Sequence, residues 1–563
     1  MNKGQYLKFN FSNFNQIIEI IDPDISLHKD AILSGIIIGD NNDFKLNFNS
    51  KTIDALNTHF DNVSLEINNK NPLYNAYIQM DSIKNKHYKI RDFSLINATS
   101  KDTLSFRTEF KGGDTGKDYF NLNLYHTIDK NNQNIIGFSK SEIMFKDLLW
   151  YINESKNDKN KVLFDKKLTT FNFDDILISH EDQSIQLKGL IEGKANKDLQ
   201  LTFHEVNLNK VTPSIKQFKF DGKLNGEVFL KQNNAIYQPR ATLEIKDLLI
   251  NNKALGDLNL TIKGNNEFSK FDIDSKIENK NVKSFSANGN LEVVDESTLI
   301  DLDLNFDRFN LGILSNLGGE VLSNIRGVAS GSAKISGNVN DMDYSGQLYV
   351  DDAGLTVPYL NVDYKIEPHS IVDVTQNKFI VRKTKIFDSK FNTEGTIEGY
   401  IKHKQFGDWE LDLAIDSERI LALNTKDHTD VAYFGTAFIN GTASIKGPTN
   451  ALEIDVNAKS EKGTDIKIPI NDAEAVGENN FIHFLTKQEK EGKTPKQAEF
   501  IRNYNGLQMN FEFAITPVAN IEVILNRESG HGMKGKGVGT LNMNINTLGK
   551  FEMYGDFTVW EGS

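Results

Sequence analysis

The chain has 563 residues, no cysteine and a formal net charge of −13. The lack of cysteine excludes disulfide frameworks and thiolate metal sites. Acidic and basic residues are interleaved, so no basic surface for nucleic acid is expected, and no run of about 18 apolar residues predicts a membrane-spanning helix.

Alternation of apolar and polar residues is the dominant pattern from the first predicted strands onward. It is visible in FKLNFN (44–49) and FNLNLY (120–125), and it continues to the C-terminus. A period of two places the apolar side chains of a strand on one face. The clearest stretches predict one apolar face that carries Leu258, Leu260, Ile262, Leu302, Leu304, Phe306, Trp409, Leu411, Leu413, Ile415, Leu452, Ile454, Val456, Leu541, Met543, Ile545, Phe551, Met553, Phe557 and Val559.

Helix candidates are few and short. They are KDLLWYI (146–152), NLGILSNL (310–317) and GEVLSNIRG (319–327), while the charged segment 486–500 is interpreted as a loop or a frayed helix. Helices of this number and length cannot cover the predicted sheet.

Glycine-containing repeats recur at similar spacing. GEVFL (226–230), GSAKI (331–335) and GTASI (441–445) share one pattern, and each follows an earlier glycine. Repeats of this kind indicate stacked supersecondary units. The sequence therefore predicts an all-β fold, an elongated sheet of repeated meanders.

Catalytic and metal-binding patterns are weak. The HED cluster (180–182) has no second ligand at a suitable spacing and is interpreted as a solvated turn. The glycines at 535, 537 and 539 precede a strand instead of the helix that a phosphate-binding loop requires. No cofactor and no metal are expected, and the chain is not expected to be an enzyme.

The predicted apolar face leaves two interpretations open. If the sheet closes on itself, the face is the core of a sandwich or solenoid. If it curls only part of the way, the face lines a groove for acyl chains, where each buried CH₂ contributes about 0.8 kcal/mol. Periodicity cannot distinguish the two.

Three stretches near the C-terminus resemble a known family. They are residues 386–425, with the G-x-I-x-H-x-x-F-x-x-W-x-L-D-L pattern around His403 and Trp409, residues 433–470, and residues 535–563, which end in GKFEMYGDFTVWEGS. Together they are similar to the C-terminal half of the TamB family, the translocation and assembly module subunit, in the form found in Bacteroidetes-like bacteria. Residues from about 141 to 360 resemble the family more loosely.

The resemblance implies an AsmA-like bridge with an elongated, curved, taco-shaped β-sheet and an apolar groove, in segments 1–130, 131–360 and 361–563. Such a bridge transports phospholipid to the outer membrane and assists outer-membrane protein assembly. Implied partners are phospholipid acyl chains, a TamA-like outer-membrane assembly barrel reached through a C-terminal segment missing here, and the inner membrane, reached through a missing N-terminal anchor. The implied location is the periplasm of a Gram-negative bacterium. The alternative is a structural or adhesive cell-surface β-solenoid with a closed apolar core, and a polysaccharide-active enzyme is third.

Overall fold

The computed structural model confirms the all-β fold, because its strands belong to one mostly antiparallel sheet of 36 strands. It describes residues 6–12, 15, 18, 24–38, 43–55, 57–71, 75–85, 88–100, 102–113, 115–212, 218–280, 282–295, 297–318, 322–404, 407–427, 433–469, 507–526, 531–546 and 550–563. The charged segment 486–500 lies outside these residues.

The chain divides into two compact units. The first comprises Met1–Pro213, Asp221–Asp247 and Asn259–Phe271, and the second comprises Ser214–Phe220, Leu248–Leu258 and Asp272–Ser563. The three segments proposed from the sequence stay a prediction.

The strands follow one another along the chain with short connections. Strands β1 to β18 are Tyr6–Ser12, Ile25–Leu27, Ile32–Ile38, Asp43–Ala55, Thr58–Asn68, Ala76–Lys84, Lys89–Ser100, Thr103–Gly112, Asp118–Ile128, Asn134–Phe138, Ser141–Phe145, Leu148–Ile152, Lys161–Phe164, Thr170–His180, Gln183–Glu192, Asn196–Asn207, Phe220–Asn233 and Ile236–Ile250. Strands β19 to β36 are Lys253–Gly264, Lys270–Asn279, Val282–Val294, Ser297–Asn310, Ser323–Asn338, Asp341–Val357, Val362–Ile366, Ser370–Thr375, Lys378–Asp388, Glu394–Lys404, Gly407–Thr425, Phe434–Pro448, Glu453–Ser460, Asp465–Pro469, Gln508–Ile515, Asn520–Asn526, His531–Asn546 and Lys550–Gly562.

Short helical elements with described bounds are α1 (Leu208–Val211) and two 3-10 helices, η1 (Leu311–Gly318) and η2 (Pro358–Leu360). The candidate at 310–317 corresponds to η1. The candidate at 146–152 is wrong, because Leu148–Ile152 is strand β12 with Trp150 opposite Ile143 of β11. The candidate at 319–327 is wrong from Ser323 onward, where β23 begins.

Long strands bend near their middle, and their shorter neighbours are interrupted at the same level. In β24, Val350 is opposite Ser370 of β26, whereas Leu355 is opposite Tyr364 of β25. The turn between β25 and β26 therefore lies beside the bend of β24. The same arrangement recurs in the first unit, where β14 pairs with β13 along one half and with β12 along the other.

The bends coincide with β-bulges. The register of β16 against β17 shifts between Phe203 and Val206, and Glu205 between them has a φ of 50°. The register of β22 against β23 shifts between Phe306 and Phe309, where Arg308 has a φ of 50°. A bulge adds one residue and turns the strand, so these positions produce the corners of the sheet.

The glycine repeats lie directly opposite these bulges. The backbone N–H of Glu205 donates to Oδ1 of Asn225 (2.9 Å), and that of Arg308 donates to Oγ of Ser330 (3.0 Å). Asn225 and Ser330 immediately precede Gly226 and Gly331. The repeat therefore supplies an acceptor for a bulge N–H that the strand ladder does not pair.

In residues 407–546 the bends divide the sheet into two arms. The first arm contains 410–417 of β29, 441–448 of β30, β31, β33 and 539–546 of β35, joined by antiparallel pairs and the parallel pair β31–β33. The second arm contains 420–425 of β29, 434–437 of β30, β32, β34 and 531–535 of β35. The two arms share β29, β30 and β35, which cross the corner.

Candidate functional site

Direct cross-strand partners form a continuous apolar row across the second unit. The row runs through Phe306, Gly331, Leu348, Val372, Val381, Gly399, Leu413, Ile445, Ile454, Met509, Ile545 and Phe551. Partners directly opposite each other project from the same face of a sheet. We call this side of the sheet the inner face.

The register brings many of the residues singled out in the sequence onto the inner face. A row beside the first contains Leu304, Ala333, Gly346, Val374, Phe379, Ile401 and Leu411. Ile415 and Val456 both lie opposite Ala443, and Phe511 lies opposite both Val456 and Met543. The role of these residues in lipid binding stays a prediction.

The inner face is partly open around β22. Leu302, Leu304 and Phe306 are half-buried, while Asp301, Asp303 and Asn305 between them are exposed. Leu304 lies between Ala287 and Ala333, which both have short side chains. Leu258, Leu260 and Ile262 of β19 are also half-buried.

The inner face is closed within the two-armed section. Leu411, Leu413 and Leu452 expose 4%, 8% and 1% of their surface. Side chains of both arms form one core cluster, which includes Ile420, Ile468 and Ile521 of the second arm and Ala458 and Phe513 of the first. Here the apolar face is a packed core, and the predicted groove residues pack against protein.

The last strands open the inner face again. Met553 and Val559 are 37% and 52% exposed, whereas Phe557 packs against the core cluster shared by the arms. Phe551 lies opposite Ile545 in the register. Trp560, at a register shift, is 65% exposed.

The first unit also has a largely open apolar face. Direct partners run from Leu33 through Phe48, Leu65 and Ile78 to Leu95, and all five are half-buried. Towards β1 this face is more exposed, with Leu7, Ile37 and Phe44 adjacent in the register and 59%, 45% and 41% exposed. Exposed large apolar groups in register mark a binding surface.

His403 and Trp409 lie in an aromatic group at the end of β28 and the start of β29. The His403 ring is 5.0 Å from Phe379, 5.3 Å from Trp409 and 5.8 Å from Tyr344. Burial lowers the pKa of His403, so the ring is neutral at pH 7. His403 and Trp409 therefore pack against other aromatic side chains of the sheet.

One group of titratable side chains surrounds His59. Between β4 and β6, His59 contacts Asp54 (2.6 Å) and Asp61 (3.0 Å), and Asp61 accepts from Lys84 (2.7 Å). His180 of the HED cluster contacts the carbonyl oxygen of Leu149 through Nδ1 (2.7 Å). Within the described ranges, no three His, Cys, Asp or Glu residues are placed to hold a metal ion.

The opposite, polar face carries a depression of about 850 Å³ across β27 to β35. Its charged lining residues are Glu398, Asp416, Asp455, Glu512 and Lys383. This acidic surface does not suit an acyl chain.

Two residues that close the inner face were missed from the sequence. Tyr359 lies in η2 and Tyr433 immediately precedes β30, and both pack against the cluster of Leu411, Met509 and Ile545. Neither belongs to an alternating stretch, so periodicity provides no signal for them.

Comparison with known proteins gives one match. Residues 383–563, about the last third of the chain, match the family model described as the TamB C-terminal domain. No curated protein and no solved structure matches the chain. Within the described part of the chain, no helix has the length and apolar character needed to cross a bilayer.

Proposed function

Because residues 383–563 are a TamB C-terminal domain, this chain belongs to the TamB family, and we propose that its inner face binds the acyl chains of phospholipids destined for the outer membrane. The family acts in the translocation and assembly module and in outer-membrane biogenesis. The continuous register of apolar side chains, part of it half-buried or exposed, is the observation that supports the proposal.

The chemistry of this face suits an acyl chain and little else. Its rows consist almost entirely of aliphatic residues, aromatic residues and glycine, without a charged group to recognise a headgroup. Binding then follows the buried apolar area, at about 25 cal/mol per Å². We propose that the chain acts by binding alone, without catalytic chemistry.

Location and partners follow from the family. TamB proteins belong to the Gram-negative cell envelope and work with outer-membrane assembly partners. We propose that this chain acts in the periplasm with a TamA-like barrel. Recovery of such a barrel with the tagged chain from detergent-solubilised envelopes is the expected result, and its absence would contradict this part of the proposal.

Photo-crosslinking tests the assignment of faces. A photoreactive benzoylphenylalanine replaces Leu304 on the inner face or, as the matched control, Asp303 on the polar face. We expect phospholipid adducts at position 304 and a background level at 303. Equal adduct yields at the two positions would contradict the proposal.

A structural solenoid with a closed apolar core is the second candidate. The packing of Leu411, Leu413 and Leu452 against other protein side chains favours it for residues 407–546. It predicts crosslinking to protein and no lipid adduct at position 304.

A further inference from the structure

Two tyrosines from distant parts of the sequence meet inside the second unit. Tyr359 lies in the turn between β24 and β25, and Tyr433 immediately precedes β30. Their hydroxyl groups lie close enough to interact electrostatically, and burial raises the pKa of both. The two tyrosines interact in this way only while the two segments stay together.

Both rings cover the inner face of the first arm. They pack against the cluster of Leu411, Leu452, Leu507, Met509 and Ile545, of which Leu452 and Met509 are each 1% exposed. Tyr433 also contacts the core cluster shared by the arms, which contains Ile468 and Ile521 of the second arm. Tyr433 therefore connects the two arms across the inner face.

Further contacts hold the end of β29 to the segment that carries Tyr359 and to the turn between β27 and β28. Asn361 donates through Nδ2 to the carbonyl oxygen of Asn424 (2.5 Å), and the Tyr364 hydroxyl donates to that of Leu421 (2.8 Å). Lys390 donates to Oδ1 of Asn424 (2.8 Å). Asn361 and Lys390 are exposed, so two of these three links lie where water can replace them.

We propose that Tyr359 and Tyr433 form a latch that closes the inner face over Leu452 and Met509, and that the latch must part before an acyl chain can occupy this section. The inference rests on the proposed lipid-binding function and adds its regulation. The inner face is partly open at Leu304 and again exposed at Val559. The latch lies on the continuous row of strands between these two positions, so it controls whether the apolar surface is continuous.

The lack of cysteine in the chain allows a direct test. Met509→Cys introduces a single thiol at a position that is 1% exposed. The rate of its reaction with a maleimide measures how often this part of the inner face opens. The rate is compared in the full chain with Tyr359 and Tyr433 present, with both changed to phenylalanine, and with both changed to alanine.

We expect the phenylalanine pair to raise the rate about fivefold, because it loses the interaction between the two hydroxyl groups and keeps the rings. The alanine pair loses the rings as well and should raise the rate by about a hundredfold or more. The matched control is Tyr349→Ala on the polar face, where the tyrosine is 40% exposed and hydrogen bonded to Gln347, and it should leave the rate unchanged.

An unchanged rate in both tyrosine pairs would overturn the latch. If the variant with both alanines does not fold, the labelling rate of the variant with both phenylalanines decides the test. A short-chain phosphatidylcholine added to the opened variant separates the two claims, because it should protect the thiol if acyl chains bind. Faster labelling without that protection would keep the latch and contradict lipid binding in this section.

Discussion

Gly331 shows how the absence of a side chain shapes the sheet. Its φ is +137°, a conformation that residues with a Cβ rarely adopt. A Cβ at this position would collide with the carbonyl oxygen of Gln347 on β24. Gly441 is in the same situation against Asn457 on β31, so two of the repeated glycines allow neighbouring strands to approach closely.

Gly331→Ala should therefore destabilise the β23–β24 pair by about 2–4 kcal/mol, because strain and overpacking add. Hydrogen exchange of the amides of these strands measures the effect. Gly337→Ala in the same strand is the control, since its φ is +99° but the nearest atom to a Cβ is 3.4 Å away. Equal effects of the two substitutions would contradict the close approach of the strands at Gly331.

The stabilising contribution of Asp61 depends on pH and can therefore be tested. Hydrogen bonds from Lys84 and then from Ser82 lower its pKa from 3.8 to about 2. Because the folded-state pKa is the lower one, its stabilising contribution is complete above about pH 4 and is lost as the pH falls towards 2. Asp61→Asn should cost about 1 kcal/mol at pH 7, discounted for the 27% exposure of the side chain.

Thermal unfolding of wild type and Asp61→Asn at pH 7 and at pH 2 checks this contribution. The two proteins should differ at pH 7, and the difference should be much smaller at pH 2, where Asp61 is about half protonated. A difference of the same size at pH 2 would show that the substitution acts through something other than the carboxylate charge.

At the scale of the elements, the bulge and the residue opposite it act together. Glu205 in β16 leaves its N–H outside the ladder, and Asn225 in β17 accepts it. Ser330 performs the same role for Arg308. The corner of the sheet thus depends on one short polar side chain that precedes a glycine.

Asn225→Ala should destabilise the first unit by about 1 kcal/mol, because the bulge N–H loses its acceptor. Asn225→Ser should cost less, since a serine serves at position 330. Trp150, which packs with Leu224 beside Asn225, reports urea unfolding by fluorescence when Trp409 and Trp560 are changed to phenylalanine. Equal losses for the alanine and serine variants would contradict the capping role.

The strands and the inner face could be predicted because a period of two is local. The corners could not, since a bulge appears in the sequence only as a spacing of three between apolar residues, as from Phe203 to Val206 or from Phe306 to Phe309. The segment 146–152 was misassigned because a short continuous apolar run fits a helix as well as a strand buried on both faces. Trp150 and Ile152 lie on one face of this strand and are 3% and 4% exposed, while Leu149 and Tyr151 on the other face are half-buried.

The closure of the inner face could not be predicted from the sequence either. Leu413 looks like Leu304 in the sequence, since both are apolar positions between acidic or small residues. Leu413 is 8% exposed and Leu304 is half-buried. Tertiary packing differs between the two sections, because Leu413 lies in the section where the two arms, Tyr359 and Tyr433 form core clusters, and periodicity does not show such contacts. An aspartate at 413 would therefore disrupt the core, so position 304 is the better test of lipid binding.

At the scale of the whole molecule, we propose that the apolar inner faces hold acyl chains where they are open and form a core where they are closed. The half-buried row from Leu33 to Leu95 and the positions around Leu304 are the open parts. Residues 407–546 are the closed part. A chain of this kind should retain lipid through purification.

The phospholipid content of the purified full chain, measured by native mass spectrometry, tests this claim most directly. We expect bound phospholipid in the wild type, less in Leu304→Asp, which places a charge on the inner face, and an unchanged amount in Asp303→Asn on the polar face. A folded wild-type chain without phospholipid, or equal lipid in all three proteins, would contradict the account.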